Sequence, residues 1–227
     1  MNIKKKLVAQ FYWLCFLIIS GIELYAVYTD NFGIRSITKP LLMISLGAAY
    51  YYSTLKNDPW VLAALGFSFL GDVLLMQNGE GAFLKGIASF LITQVIYVKL
   101  FYAWSKELKS QYKRLITLPF IALYIALIYV LSPSLGGLLF PMAVYGFVLF
   151  SMGAMSVWVS VKKRNYTLGI GGILFVISDA SIALGKYMWT EVDLGLLVMT
   201  TYILAQGLII WSILKIQRND LEGKEHS

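Results

Sequence analysis

Long apolar runs alternate with short polar breaks along the whole chain. The runs cover approximately 9–28, 38–54, 60–76, 81–104, 115–131, 136–161, 166–187 and 192–215. Most have the ~17–25 residues that an α-helix needs to cross a bilayer. The run 38–54 is at the short end, and 136–161 is long enough to tilt. The breaks are brief (KNDP, QNGE, SPSL and KKRN), and the longest is SKELKSQYKR. This pattern predicts an all-α fold: a polytopic transmembrane helical bundle of eight spans, forming a single integral membrane domain over residues 1–227, with 216–227 as a polar cytoplasmic tail. The opening MNIKKKLVAQFYWLCFLIISG places Lys4, Lys5 and Lys6 before an apolar core, as a signal peptide does. No small-x-small cleavage site follows, so the first run is read as an uncleaved span.

The basic residues orient these spans. With the amino terminus inside, fourteen of the nineteen Lys and Arg residues fall on the inner side: Lys4, Lys5, Lys6, Lys56, Lys106, Lys109, Lys113, Arg114, Lys162, Lys163, Arg164, Lys215, Arg218 and Lys224. The outer side keeps little beyond Arg35 and Lys39. That asymmetry is the positive-inside signal of a membrane topology. It predicts both termini in the cytoplasm of a cell membrane of bacterial type.

The two halves also resemble each other. LGFSFLGDVLLM in the third span and GGILFVISDASIAL in the seventh each carry a small residue followed by Asp near the outer end. Gln94 and Gln206 follow them, and Pro40 and Pro141 precede them. Two similarly oriented groups of four helices would form a parallel four-plus-four repeat.

Composition narrows the chemistry. Hydrophobic residues make up 59% and charged residues 14%, against about 25% charged in a soluble domain. The net charge of +7 lies in runs beside apolar segments rather than on one water-exposed face, which argues against a nucleic-acid partner. The single cysteine, Cys15, excludes an intrachain disulfide and reads as packing. The single histidine, His226, lies in the polar tail, which argues against a zinc hydrolase and excludes a Ser–His–Asp triad inside the spans. The glycines of LGIGGILF lack a following Lys-Ser/Thr and make no phosphate loop; they suit close helix packing. No metal or cofactor is called for, although carboxylates alone can hold a hard cation.

The most informative residues are three acids inside apolar runs, Glu23, Asp72 and Asp179. An Asp near the centre of a span costs about 2.5–3.5 kcal/mol on insertion scales. Such a residue faces the bundle interior, pairs, or lines a wet cavity. By helix rise, Asp72 lies about 18 Å past Trp60, Asp179 about 20 Å past Tyr166 and Glu23 about 21 Å past Ala9. In this topology the three acids share one level beyond the midplane. A bland alternative is a protonated acid that bonds across helices and only stabilises the bundle.

Other polar residues converge on that level. Lys39 opens the second span at the outer interface, where it can reach a phosphate or an acid, or simply snorkel. Tyr145 and Tyr202 lie about 14 and 15 Å below their outer span ends, and Gln94, Tyr97 and Gln206 sit deeper. Tyr12, Tyr25, Tyr28, Trp60, Trp104, Trp189 and Trp211 fall near span ends, as interfacial belt residues do.

Lys39-Pro40, Gly71-Asp72 with LLM following, Gln94 with Tyr97, Pro141 with Tyr145, Ser178-Asp179, and Tyr202 with Gln206 occur in one order across most of the chain. In that order and spacing the chain resembles the YhhN-type membrane proteins, the lysoplasmalogenase-like family. The resemblance implies an integral membrane enzyme that cleaves the vinyl-ether bond of lysoplasmalogens to a fatty aldehyde and glycerophosphoethanolamine or glycerophosphocholine. It also implies that Asp72 and Asp179 are the catalytic acids. The chain departs from the expected pattern at Gln94, where some relatives are expected to carry His; a glutamine does not relay protons in the ordinary way.

That chemistry suits the residues. A vinyl ether is first protonated on carbon, and water captures the oxocarbenium ion as a hemiacetal that collapses to aldehyde and alcohol. One acid in protonated form and one carboxylate in a low-dielectric cavity supply this division of labour, as in glycosidases. Glu23, Lys39, Gln94, Tyr97, Tyr145, Tyr202 and Gln206 are then the expected substrate-binding set, for a lysophospholipid drawn from the bilayer. Two competing expectations remain: a transporter or channel for a small cation or lipid that uses the acids for binding, and a non-catalytic lipid-binding protein.

Overall fold

A computed structural model describes residues 3–54 and 56–225; His226 lies outside them. The described residues form eight α-helices and one 3-10 turn, with no strand: α1 (Ile3–Tyr28), α2 (Phe32–Ser53), α3 (Pro59–Leu75), α4 (Glu80–Ser105), α5 (Ser110–Leu135), the turn Gly136–Leu138, α6 (Leu139–Lys163), α7 (Tyr166–Tyr187) and α8 (Gly195–Glu225). Within a helix most backbone donors and acceptors pair with each other, which is what apolar surroundings demand; Pro40 in α2 and Pro119 and Pro133 in α5 have no N–H to give.

Five stretches among the described residues are long and apolar enough to cross a membrane: Ile3–Tyr28, Glu80–Ser105, Ser110–Lys163, Tyr166–Tyr187 and Gly195–Glu222; Pro59–Leu75 is apolar but shorter. The stretch Ser110–Lys163 folds back on itself. Gly136, at φ 49 and ψ −124, turns the chain, a conformation open to glycine at no steric cost. The Tyr124 hydroxyl then donates to the Ala143 carbonyl across the α5–α6 seam. The protein is an integral membrane protein, and its surface agrees: large apolar side chains such as Leu14, Leu17, Ile18, Leu118, Leu123 and Ile125 point outward, as lipid-facing side chains do.

Helix ends differ from the apolar runs in three places. SPSL is not a break: Pro133 lies inside α5, and the turn is Gly136–Leu138, so the sixth helix starts at Leu139 and not at 136. The second helix starts at Phe32 rather than 38, because the Asn31 side chain caps it by accepting from the Ile34 N–H; a side-chain cap of this kind satisfies an otherwise orphaned donor. The polar stretch after residue 215 continues α8 as far as Glu225. Hydropathy marks where oil ends, not where helix ends.

The chain divides into two compact units, one through Ile96 together with the segment from Ile210 onward, the other Tyr97–Ile209. In the first unit α1 lies along α2. The Lys5 ammonium donates to the Thr54 carbonyl at 2.8 Å and the Trp13 indole to the Ser53 hydroxyl. Tyr12 stacks on Tyr52. The seam between α3 and α4 is close-packed: the Phe90 ring occupies the space that a Cβ on Gly71 would need, and Thr93 donates to the Ala64 carbonyl.

In the second unit α7 is the central helix, and its glycines set its two seams. Gly172 and Gly169 let α7 approach Ser156 and Ser160 of α6, while Gly171 meets the Ala205 carbonyl and Ile209 of α8. Without a hydrophobic driving force between helices in lipid, such van der Waals contact is a main source of cohesion. In both units some buried hydroxyls are satisfied within their own helix: Ser20 donates to the Phe16 carbonyl, Ser160 to that of Ser156 and Thr201 to that of Leu197.

Candidate functional site

In the first unit, buried positions Phe16, Ser20, Glu23 and Val27 form one stripe of α1, the i, i+4, i+7 spacing of a single helix face. Glu23 on that stripe is fully buried. It accepts a 2.5 Å hydrogen bond on Oε2 from the Thr38 hydroxyl of α2. On its other oxygen, Oε1, it faces the Arg35 Nε at 3.7 Å. Neither Oε1 nor that Nε has a hydrogen-bond partner among the described residues.

One turn after Arg35, Lys39 reaches the Asp72 Oδ1 of α3 at 3.9 Å. Lys39 is 8% exposed and Asp72 1%. Lys39 is therefore neither at a helix start nor snorkelling: with α2 beginning at Phe32, it sits inside the helix and its ammonium turns toward a buried acid. Removing an ion from water costs several kcal/mol, and a counter-ion offsets part of that. Both pairs are wider than the ~2.7–2.9 Å of a charge-assisted hydrogen bond.

In the second unit, the Tyr145 hydroxyl of α6 donates to the Asp179 Oδ2 of α7 at 2.5 Å, with both residues buried. The preceding Ser178 donates to the Val198 carbonyl of α8, which fixes the register of α7 against α8 beside the acid. Tyr97 of α4 donates to the Gln206 Oε1 of α8 at 3.0 Å. The Tyr202 ring meets Phe175 edge-on. Each unit thus holds one buried aspartate gripped by a side chain from a neighbouring helix.

Of the residues expected from sequence, Lys39 meets Asp72, Tyr145 meets Asp179, and Tyr97 meets Gln206, while Glu23 and Gln94 are fully buried. Arg35 and Thr38 were not among them, yet both address Glu23. Their signal was present: 35, 38 and 39 fall on one helix face once α2 is extended toward its amino end. Among the described residues no group of three or more His, Cys, Asp or Glu side chains is placed to hold a metal ion. Chemically, the two clusters offer buried carboxylates for proton exchange and cations for an anionic group.

A family model, described as the YhhN family, matches residues 34–213. The chain is 30% identical over 159 residues to lysoplasmalogenase TMEM86A of Bos taurus, covering 67% of this chain and 64% of that protein. It is 30% identical over 152 residues to lysoplasmalogenase TMEM86B of Homo sapiens (67% and 62%) and 29% over 160 residues to lysoplasmalogenase TMEM86B of Rattus norvegicus (69% and 62%). The matches span slightly less than two thirds of these curated relatives. No solved structure matches the chain significantly.

Proposed function

The chain belongs to the YhhN family, and from that premise we propose that it is a membrane hydrolase cleaving the vinyl-ether bond of lysoplasmalogens. The products are a fatty aldehyde and glycerophosphoethanolamine or glycerophosphocholine. The observation that carries this reading is the buried Asp179 carboxylate held by the Tyr145 hydroxyl, in a chain whose relatives bear the name lysoplasmalogenase. An acid kept from bulk water and fixed in orientation is what carbon protonation of a vinyl ether requires.

In this mechanism a carboxylic acid delivers its proton to the electron-rich vinyl carbon. The oxocarbenium ion that forms is stabilised by a carboxylate, which also guides the attacking water; the hemiacetal then collapses and the glycerol oxygen leaves with a proton. Asp179 with Tyr145 suits the proton-exchanging role. Asp72, beside the Lys39 ammonium, suits the charged role. Tyr97, Tyr202, Gln94 and Gln206 are assigned to water and glycerol hydroxyls, and the substrate is a lysophospholipid of the bilayer. Purified Asp72→Asn and Asp179→Asn variants are each expected to release aldehyde about 10²–10⁴ times more slowly. Near-normal turnover in both overturns the mechanism.

The topology that we propose has eight passes, with both termini in the cytoplasm and α1–α4 repeated in α5–α8. It is supported by the fourteen inner basic residues and by Asp72 in α3 and Asp179 in α7, each after a small buried residue. Pro40 lies inside α2 and Pro141 in the first turn of α6, a difference between the halves. In a Cys15→Ser background, a cysteine at 107 should react with an impermeant maleimide only from the cytoplasmic side, and cysteines at 79 and 137 only from the other. Any reversal rejects the orientation.

A further inference from the structure

Two cations lie one turn apart on α2, and each is tethered by a buried acid of a different helix. Glu23 of α1 faces Arg35 and Asp72 of α3 faces Lys39. Side chains four apart on a helix project side by side, with ~5–6 Å between their Cβ atoms. That separation matches the breadth of a phosphate whose oxygens meet two cations. The tethers hold the cations without exhausting them: the Arg35 Nε lies 3.7 Å from Glu23 with no hydrogen-bond partner, and the Lys39 ammonium lies 3.9 Å from Asp72. The Arg35 side chain is 26% exposed, although its Nε is buried, whereas Glu23 is fully buried, so of the four charged residues whose contacts build the cluster, Arg35 extends furthest out of it. Thr38 lies between the two cations and ties α2 to Glu23, which pre-orients the pair. The four charges sum to zero, which favours a ligand without large net charge.

We propose that Arg35 and Lys39 form a phosphate clamp for the zwitterionic headgroup of a lysophospholipid, with Arg35 as its outer member and Glu23 as the residue that positions it. The clamp names how the substrate of the proposed hydrolase is selected, and in that respect it rests on that reading. Arginine suits this place because its planar fork offers several donors to phosphate oxygens. A phosphate-free alkylglycerol makes no use of the clamp.

The test is binding, which needs no turnover. Purified protein in detergent is titrated with the non-hydrolysable saturated ether 1-O-hexadecyl-glycerophosphoethanolamine and, separately, with 1-O-hexadecylglycerol, following tryptophan fluorescence. Arg35→Gln is expected to weaken the phosphorylated probe about ten- to a hundredfold, the loss of one charged hydrogen bond, and to leave the alkylglycerol unchanged. Arg35→Lys, which keeps the charge if Gln does not fold, should fall between. Equal loss for both probes, or no loss for either, overturns the clamp. Arg35-dependent selectivity in a protein that does not hydrolyse lysoplasmalogen upholds the clamp and overturns the hydrolase alone.

Discussion

The Tyr145 hydroxyl meets the Asp179 carboxylate at 2.5 Å across the α6–α7 seam. This single contact joins packing to chemistry. The glycines of α7 bring that helix against α6, and the tyrosine then supplies a donor to an acid that lipid could not solvate.

Replacing Tyr145 with Phe keeps the ring and removes the donor. We expect a stability loss of about 1 kcal/mol, the scale of an interhelical hydrogen bond in a membrane protein, seen as a small fall in Tm. Turnover should fall by about tenfold or more, with a displaced limb of the pH–rate profile and little change in KM. An unchanged pH profile would mean that the tyrosine only packs.

Lys39→Met leaves Asp72 without its buried counter-ion. Breaking a buried pair from one side costs about 3–5 kcal/mol, so the Tm should drop strongly. The double variant Lys39→Met/Asp72→Asn removes both charges and should recover most of that stability while remaining inactive. Thermal unfolding and aldehyde release on the same preparations separate the two effects.

Gly172→Ala tests the α6–α7 seam. Its new methyl would overlap Ser156, and overpacking of this kind costs about 1–3 kcal/mol. Adding Ser156→Gly should restore the Tm, since the obstructing side chain is then gone. A tolerated Gly172→Ala would show that the seam relaxes.

Outside the spans, Lys162 donates to Glu107 at 2.7 Å. That hydrogen bond, and then the lysine's charge, hold the Glu107 carboxyl below the usual glutamate range. A carboxyl depressed in the folded state adds stability above its unfolded pKa, and the contribution fades as pH falls through the folded value. Glu107 is 82% exposed, so solvent and salt screen the pair. Glu107→Gln should leave the Tm unchanged at pH 7 and at pH 4, whereas a chemical-shift titration should place Glu107 below an exposed peptide glutamate.

The sequence alone determined the all-helical membrane character, the existence of the helices and the residues to watch. Bilayer solvation acts residue by residue: an apolar run of sufficient length must close its own hydrogen bonds, and an acid such as Asp72 or Asp179 within it must have a reason to be there. Helix ends were less legible, because Asn31 capping and the turn at Gly136 are local geometric events that hydropathy does not register. Only the tertiary structure decided the partners. Lys39 could have snorkelled to water, Tyr145 could have faced lipid, and Arg35 could have turned away from Glu23. Which of these happens depends on helix rotation, and that rotation follows from contacts summed along whole seams, such as Gly171 on Ala205 and Gly172 on Ser156, between residues far apart in the chain.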